Sequence, residues 1–204
     1  MESGAVRTKG AQTRQAILDA AIARFGREGY RSTSVADIAR DASVGGTVAY
    51  AYFPSKEALF LTAVDEDAAA VIRDGLRCAM GESGSRQWRQ TFIFTVIDVL
   101  DRHPLARRLF AGLEPDVSGR VLEIPALAEL RKAYAERLRT EQLGGTVRPD
   151  IDPVAIANGV VAIMLSLLMS VVQLGGTVVT AYWADIAAVI EAAIDRPPPG
   201  RTPG

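Results

Sequence analysis

The residues best suited to chemistry lie in one short stretch, residues 33–56. Gly45 and Gly46 come directly before a run rich in hydroxyl groups, and Lys56 follows a few residues later. Adjacent glycines leave the backbone N–H groups sterically open, so that a phosphate or a base edge can approach closely. Hydroxyl groups bond to phosphates, methyl groups contact thymine, and a lysine neutralises phosphate charge. The pattern therefore favours contact with double-stranded DNA.

The candidate DNA-contacting residues are Thr33, Gly45, Gly46, Thr47, Val48, Tyr50, Tyr52 and Lys56. For Thr33, capping of a helix N-terminus is an alternative role. Tyr50 and Tyr52 are as well suited to a hydrophobic core as to DNA, and Phe53 is expected to be buried. The basic residues near the N-terminus are expected to lie on a flexible, solvated arm.

Enzyme chemistry finds little support in the residue types present. Cys78 and His103 are the only cysteine and histidine, which excludes a disulfide framework, a multi-thiolate metal site and a two-histidine metal motif. Cys78 lies in a helical pattern and is expected to be a buried, small apolar residue. No set of residues divides the roles of nucleophile, base and oxyanion donor. We therefore expect no enzyme activity, no metal and no cofactor.

Composition and charge point to a globular protein with an anionic partner at one end. The chain has 204 residues, 49% of them apolar and 23% charged, which excludes disorder along its whole length. Residues 1–56 contain eight Lys or Arg and five Asp or Glu, a net charge of +3, whereas the remainder carries −4. The N-terminus has no apolar stretch of the secretory type, which predicts a cytoplasmic location.

Helical periodicity dominates the chain and predicts an all-α fold. Apolar residues from Ile17 to Phe25 share one helix face, with Thr13 as the expected N-cap and Gly29 just past the end. Thr33 or Ser34 caps a second short helix, and a third covers Thr47–Phe53. Two short helices joined by a tight turn have the layout of a helix-turn-helix. Pro54 ends this unit, and Ser55 is expected to cap a long fourth helix over residues 56–80.

Longer helices separated by glycine and proline fill the rest of the chain. They are expected from Ser85 to just before His103, over Pro104–Leu113, over 121–143, over Val154–Leu174 and over Thr180–Ile194, with a loop at Pro115–Gly119. The expected organisation is a flexible basic arm (1–12), a helix-turn-helix domain (13–56), a ligand-binding and dimerisation domain (57–195) and a disordered Pro-rich tail (196–204).

The segment Val154–Leu174 has no charged residue and is long enough to cross a bilayer. Its internal polar residues, such as Asn158 and Gln173, and the lack of aromatic or basic anchors argue against that interpretation. A stripe of small residues from Ala155 to Ser170 predicts close approach of another helix, and Ile163 is expected on a core-filling side. Residues 154–174 and 180–194 together are expected to form a homodimer interface, with a monomer core as the alternative.

Residues 13–62 resemble the TetR family of bacterial transcriptional regulators. The matching residues are Ala21, Phe25, Gly29-Tyr30, Thr33-Ser34-Val35, Ile38-Ala39, Ala42, Val44 and the run Tyr50-Ala51-Tyr52-Phe53-Pro54-Ser55-Lys56-Glu57-Ala58-Leu59. Where the family commonly has Ser-Lys-Gly-Thr, this chain has Gly45-Gly46-Thr47-Val48. This departure implies that recognition of DNA depends on backbone amides and DNA shape.

The resemblance implies an N-terminal three-helix DNA-binding domain followed by a C-terminal helical bundle for ligand binding and dimerisation. Such a protein binds a palindromic operator as a homodimer, more often as a repressor, and a small-molecule effector releases it. We expect a mostly apolar ligand in a pocket beside the fourth helix, which would transmit the signal. The candidate ligand-binding residues are Trp88, Phe92, Phe110 and Met164. The alternative is a helical-bundle interaction protein or membrane-associated protein whose three-helix front is only structural.

Overall fold

A computed structural model describes residues 8–80, 96–118 and 123–195. Within these ranges the regular secondary structure is helical, apart from one isolated bridge between Val147 and Asp195. The predicted all-α class is therefore confirmed. Trp88 and Phe92, the side chain of Cys78 and the Pro-rich tail lie outside the described residues.

Three helices form the N-terminal front: α1 (Lys9–Glu28), α2 (Val35–Asp41) and α3 (Gly46–Tyr52). The prediction that Thr13 caps α1 is wrong, because the Thr8 hydroxyl accepts the N–H of Ala11 and the helix begins at Lys9. Residues 9–12 thus belong to α1, and the predicted arm is too long by these four residues. Ile17, Leu18, Ala21 and Phe25 are buried on one face of α1, as their spacing predicts.

Capping residues fix the starts of the next helices. The Ser34 hydroxyl accepts the N–H of Asp37 at 3.1 Å, so Ser34 is the cap of α2. Helix α4 (Lys56–Met80) begins where predicted, since the Ser55 hydroxyl accepts the N–H of Ala58 at 3.0 Å.

The C-terminal part consists of α5 (described over residues 96–100), α6 (Pro104–Phe110), α7 (Pro115–Ser118), α8 (Pro125–Leu143), α9 (Pro153–Leu174) and α10 (Gly176–Ile194). Three expectations need correction. The expected loop after Pro115 contains the single turn α7. Helix α8 starts at Pro125 rather than at 121, because proline lacks an N–H and suits the first helical position. Helix α10 starts four residues earlier than expected, at Gly176.

Helix α6 lies at the centre of the packing, in contact with α1, α4 and α9. Helix α9 packs against α8 and α10 and buries Val161, Met164 and Leu168. The expectation that Ile163 fills the core is wrong, because its side chain is 40% exposed on the other side of α9. Among the described residues, α9 is the one helix long and apolar enough to cross a membrane, and a third of its most apolar stretch is buried inside the protein.

Candidate functional site

Helix α3 is held on one side and open on the other. Ala49 is fully buried where α3 packs against α2 and α1. The turn between α2 and α3 is closed by the N–H of Val44, which donates to the Ala39 carbonyl at 2.9 Å. On the outer side Val48 is 41% and Tyr50 53% exposed, and Thr47 is exposed with them. Two apolar groups and two hydroxyls therefore face solvent on a helix narrow enough for a major groove.

The two glycines before this surface are not explained by the fold. Gly45 has φ −72°, a conformation open to any residue, and Gly46 is helical. A Cβ at Gly46 would meet no described atom within 4 Å, and one at Gly45 would meet only a Val48 methyl group at 4.0 Å. Neither backbone conformation nor packing within the described chain requires glycine here. The bare surface is thus available to a partner outside the chain.

Two cations lie on aromatic rings close to α3. The Lys56 ammonium is 4.4 Å from the centre of the Tyr30 ring, and the Arg14 guanidinium is 4.9 Å from that of Phe53. Such cation–π contacts restrict long side chains that would otherwise sample many rotamers. Phe53 itself is 3% exposed, which confirms its predicted burial.

The prediction that Thr33 contacts DNA is wrong. Thr33 is only 3% exposed, and its hydroxyl donates to the Gly29 carbonyl at 2.8 Å. It closes the turn between α1 and α2, while its neighbour Ser34 takes the capping role. Tyr52 is half-buried against the core, so of the two tyrosines Tyr50 is the more accessible.

A cluster of ion pairs fixes α2 against α1. The helix-turn-helix pattern in the sequence does not predict this cluster. Arg24 donates from Nε to Asp41 at 2.6 Å and from Nη1 to Glu28 at 3.0 Å. The hydrogen bond from Arg24 lowers the pKa of Asp41, and the bond from the Ser34 hydroxyl lowers the pKa of Asp37. The same pairing raises the pKa of Arg24 above its usual range.

A cavity of about 50 Å³, measured as the space open to the centre of a water-sized sphere, lies between α4, α6, α8 and α9. Its described lining is apolar: Ala68, Val71, Ile72, Val96, Ala106, Leu109, Phe110, Ile124, Leu127, Leu130, Val161, Met164, Leu165 and Leu168. Two of the four candidate ligand-binding residues, Phe110 and Met164, meet there. The contributions of α8 were missed, because periodicity shows that Leu127 and Leu130 are buried but not which neighbour they face.

Comparison with known proteins identifies the N-terminal part of the chain. Residues 17–63, which contain α2, α3 and most of α1, match the family model described as bacterial regulatory proteins, tetR family. Residues 17–63 therefore form a DNA-binding domain of the tetR family. It is 26% identical over 155 residues to the HTH-type transcriptional regulator BetI of Agrobacterium fabrum, covering 74% of this chain and 72% of that protein. It is 30% identical over 161 residues to the A-factor receptor protein of Streptomyces griseus, covering 78% of this chain and 54% of the receptor.

Solved structures share the fold over nearly the whole chain. A TetR-family transcriptional regulator from Cytophaga hutchinsonii superposes with a TM-score of 0.76 at 18% identity, covering 95% of this chain and 100% of that one. Thermus thermophilus FadR, solved in complex with lauroyl-CoA, gives 0.63 at 20% identity, covering 93% and 100%. Family and fold together identify a DNA-binding transcriptional regulator, rather than the interaction or membrane-associated protein kept as the alternative.

Proposed function

We propose that this TetR-family regulator binds a palindromic operator as a homodimer, acts as a repressor in the cytoplasm without catalysis of its own, and is released by a small, mostly apolar ligand. The observation that carries the proposal is the open outer surface of α3, beginning at two glycines that nothing in the described fold requires.

The DNA contacts divide by the chemistry of the exposed groups. At Gly45 and Gly46 the backbone approaches the sugar-phosphate chain, while Thr47 and Tyr50 donate hydroxyl hydrogen bonds to it. The Val48 methyl groups are placed for apolar contact in the groove. Lys56 supplies a phosphate contact next to the helix, and Tyr52 has a lesser part because it is half-buried.

The homodimer forms through α9 and α10. Their outer faces expose large apolar side chains, among them Met169 at 42%, Leu174 at 65%, Tyr182 at 62% and Val189 at 68%. The small-residue stripe of α9 is also exposed, and a Cβ at Gly159 would meet no described atom within 4 Å. Small residues beside large apolar ones suit a close four-helix contact between two copies.

The ligand occupies the cavity beside α4, with Phe110 and Met164 in its wall. A lining of aliphatic side chains with one phenylalanine favours a hydrocarbon chain over a polar metabolite. The neighbour that binds lauroyl-CoA supports an acyl chain as the apolar portion. The ligand can release the regulator from DNA only if it binds more tightly to the protein conformation in which the two recognition helices no longer fit the operator.

The DNA contact is tested with duplex DNA from the region flanking the protein's own gene. Binding is measured by fluorescence anisotropy across a salt series, for the wild type, Lys56→Ala and the control Lys132→Ala, which lies exposed on α8. Loss of one phosphate contact reduces the salt slope by about 1 in Lys56→Ala and leaves it unchanged in the control. Equal slopes in all three proteins would contradict the phosphate contact of Lys56.

A further inference from the structure

Helix α6 is fastened at its N-terminal end to α4. Asp67 of α4 is 4% exposed, and its carboxylate accepts the N–H of Ala106 at 2.8 Å. The other oxygen of the same carboxylate lies 2.8 Å from Nδ1 of His103, the residue before α6. A buried carboxylate bonded twice to one helix end strongly disfavours separation of the two elements, because separation would leave it unpaired.

The C-terminal end of α6 is fastened to the DNA-binding front instead. Glu114 is 9% exposed, and its Oε1 accepts hydrogen bonds from Arg108 Nε at 2.7 Å and from the Tyr30 N–H at 3.0 Å. Arg108 belongs to α6, whereas Tyr30 lies between α1 and α2. We call this three-residue link the Arg108–Glu114–Tyr30 clasp. The bond between Arg108 and Glu114 joins a guanidinium to a carboxylate, a type that is shorter and stronger than bonds between neutral groups.

Two glycines, one within α1 and one at its C-cap, allow α6 to pack closely against α1. A Cβ at Gly26 would lie 2.7 Å from the Cβ of Pro104, at the start of α6. Gly29 has φ +83°, in the region that favours glycine, and a Cβ there would overlap the Arg108 guanidinium. Helices α1 and α6 are in direct contact at both positions. A shift of α6 towards α1 must therefore move α1, and a shift away from it must break the clasp.

Tyr30 connects the clasp to the DNA-binding surface. Its ring packs on Phe60 with the centroids 4.8 Å apart, and it carries the Lys56 ammonium at 4.4 Å from its centre. The backbone of Tyr30 is thus held by Glu114, while its side chain supports the lysine proposed to contact phosphate. In the other direction, Ala106, Leu109 and Phe110 of α6 line the cavity.

We infer that Glu114 is a positioning residue for the phosphate contact of Lys56, and that through Arg108 it makes this contact depend on the position of α6. The inference rests on the proposed DNA contact of Lys56. Besides α4, which is expected to transmit the ligand signal, α6 and the turn after α1 would then form a second connection between the cavity and the DNA-binding surface. Displacement of α6 by a ligand would weaken binding to every DNA sequence alike, since Lys56 reads no base.

The test uses the full-length protein and a 30-base-pair duplex of arbitrary sequence, because a phosphate contact is independent of sequence. The variants are Glu114→Ala, Lys56→Ala, the double variant, and the control Asp116→Ala, which removes an exposed acid two residues from Glu114. The salt slope should fall by about 1 in each of Glu114→Ala and Lys56→Ala, and no further in the double variant. A wild-type slope in Glu114→Ala, or a fall of about 2 in the double variant, overturns the inference.

Hydrogen exchange of the Tyr30 amide tests the clasp without DNA. The amide should exchange at least tenfold faster in Glu114→Ala than in the wild type or Asp116→Ala, and wild-type exchange would overturn the clasp itself. If Lys56→Ala has a wild-type salt slope while Tyr30 exchange is accelerated, the proposed DNA contact fails and the clasp does not. Should Glu114→Ala unfold, Arg108→Gln is judged by the same criteria, and Arg108→Lys should restore most of the slope.

Discussion

At the scale of single residues, the proposed DNA-binding surface has residue types that packing within the described chain does not require. Gly46 is the clearest case, because a Cβ there would meet no described atom within 4 Å, whereas one at Gly26 would collide with Pro104. Two glycines of the same front thus have opposite reasons for being glycine. One leaves room for a partner, and the other leaves room for α6.

Substitution of each glycine should separate binding from stability. Gly46→Val should weaken operator binding at least tenfold, while the unfolding free energy stays the same or rises by up to about 1 kcal/mol, since glycine is a poor helix former. Gly26→Ala should lower the unfolding free energy by about 1–3 kcal/mol through overpacking. Anisotropy with operator DNA and chemical denaturation measure the two quantities. Unimpaired binding by Gly46→Val would show that no partner approaches the backbone there.

Sequence reasoning succeeded where the governing interactions are local. The cap Ser55, the buried face of α1 and the burial of Phe53 follow from spacing and residue type within a few positions. For α2 the sequence left Thr33 and Ser34 as alternative caps, of which Ser34 is the one used. It missed Thr8, the true N-cap of α1, although that contact is local, and it failed further where contacts are distant in sequence. Thr33 is buried by the turn it closes, and the cavity side of α8 depends on α4 and α9. The clasp joins residues 84 positions apart, and no periodicity reports such a contact.

At the scale of elements, α2 is positioned by charge as well as by its apolar face. The folded-state pKa of Asp41 lies below its ordinary value of 3.8, because Arg24 donates a hydrogen bond to it. This pair therefore stabilises the fold above pH 3.8, and its contribution is lost as the pH falls through the lower folded-state pKa.

Removal of the pair should have a pH-dependent effect. Asp41→Asn should lower the thermal midpoint at pH 7, and the difference from the wild type should shrink as the pH falls below about 3.8. Arg24→Gln removes this interaction together with the bond to Glu28, so the double variant should be little less stable than Arg24→Gln alone. Scanning calorimetry from pH 7 to pH 3 provides the measurement. A difference that persists unchanged at pH 3 would mean that the charge pair is not its cause.

The cavity between α4, α6, α8 and α9 gives a second prediction at this scale. Ala68→Leu places a larger side chain in the cavity wall, whereas Ala70→Leu makes the same change on α4 outside the described lining. Laurate binding, measured by calorimetry, should weaken at least tenfold in Ala68→Leu, about 1.4 kcal/mol, and stay within twofold in Ala70→Leu. Equal affinities in the two variants would place the hydrocarbon site elsewhere.

At the scale of the whole molecule, DNA binding and dimerisation are linked by distance. Two recognition helices enter successive major grooves only when they lie about 34–36 Å apart, one turn of DNA. One copy supplies a single α3, so in the proposed homodimer the pairing of α9 and α10 with their copies would set that separation. In that dimer, the exposed apolar faces of α9 and α10 would determine whether the two α3 surfaces can bind DNA together.

The most direct test of this account is a hydroxyl-radical footprint on DNA flanking the protein's own gene. The wild type should protect two symmetry-related patches with centres about 10 base pairs, or a multiple of one turn, apart. Ile163→Asp puts a charge on the exposed face of α9 and should give a monomer that leaves no footprint at the same concentration. The control Leu143→Asp, at a side chain 92% exposed at the end of α8, should remain a dimer and protect both patches. A single patch from the wild type, or two patches from monomeric Ile163→Asp, would contradict the central claim.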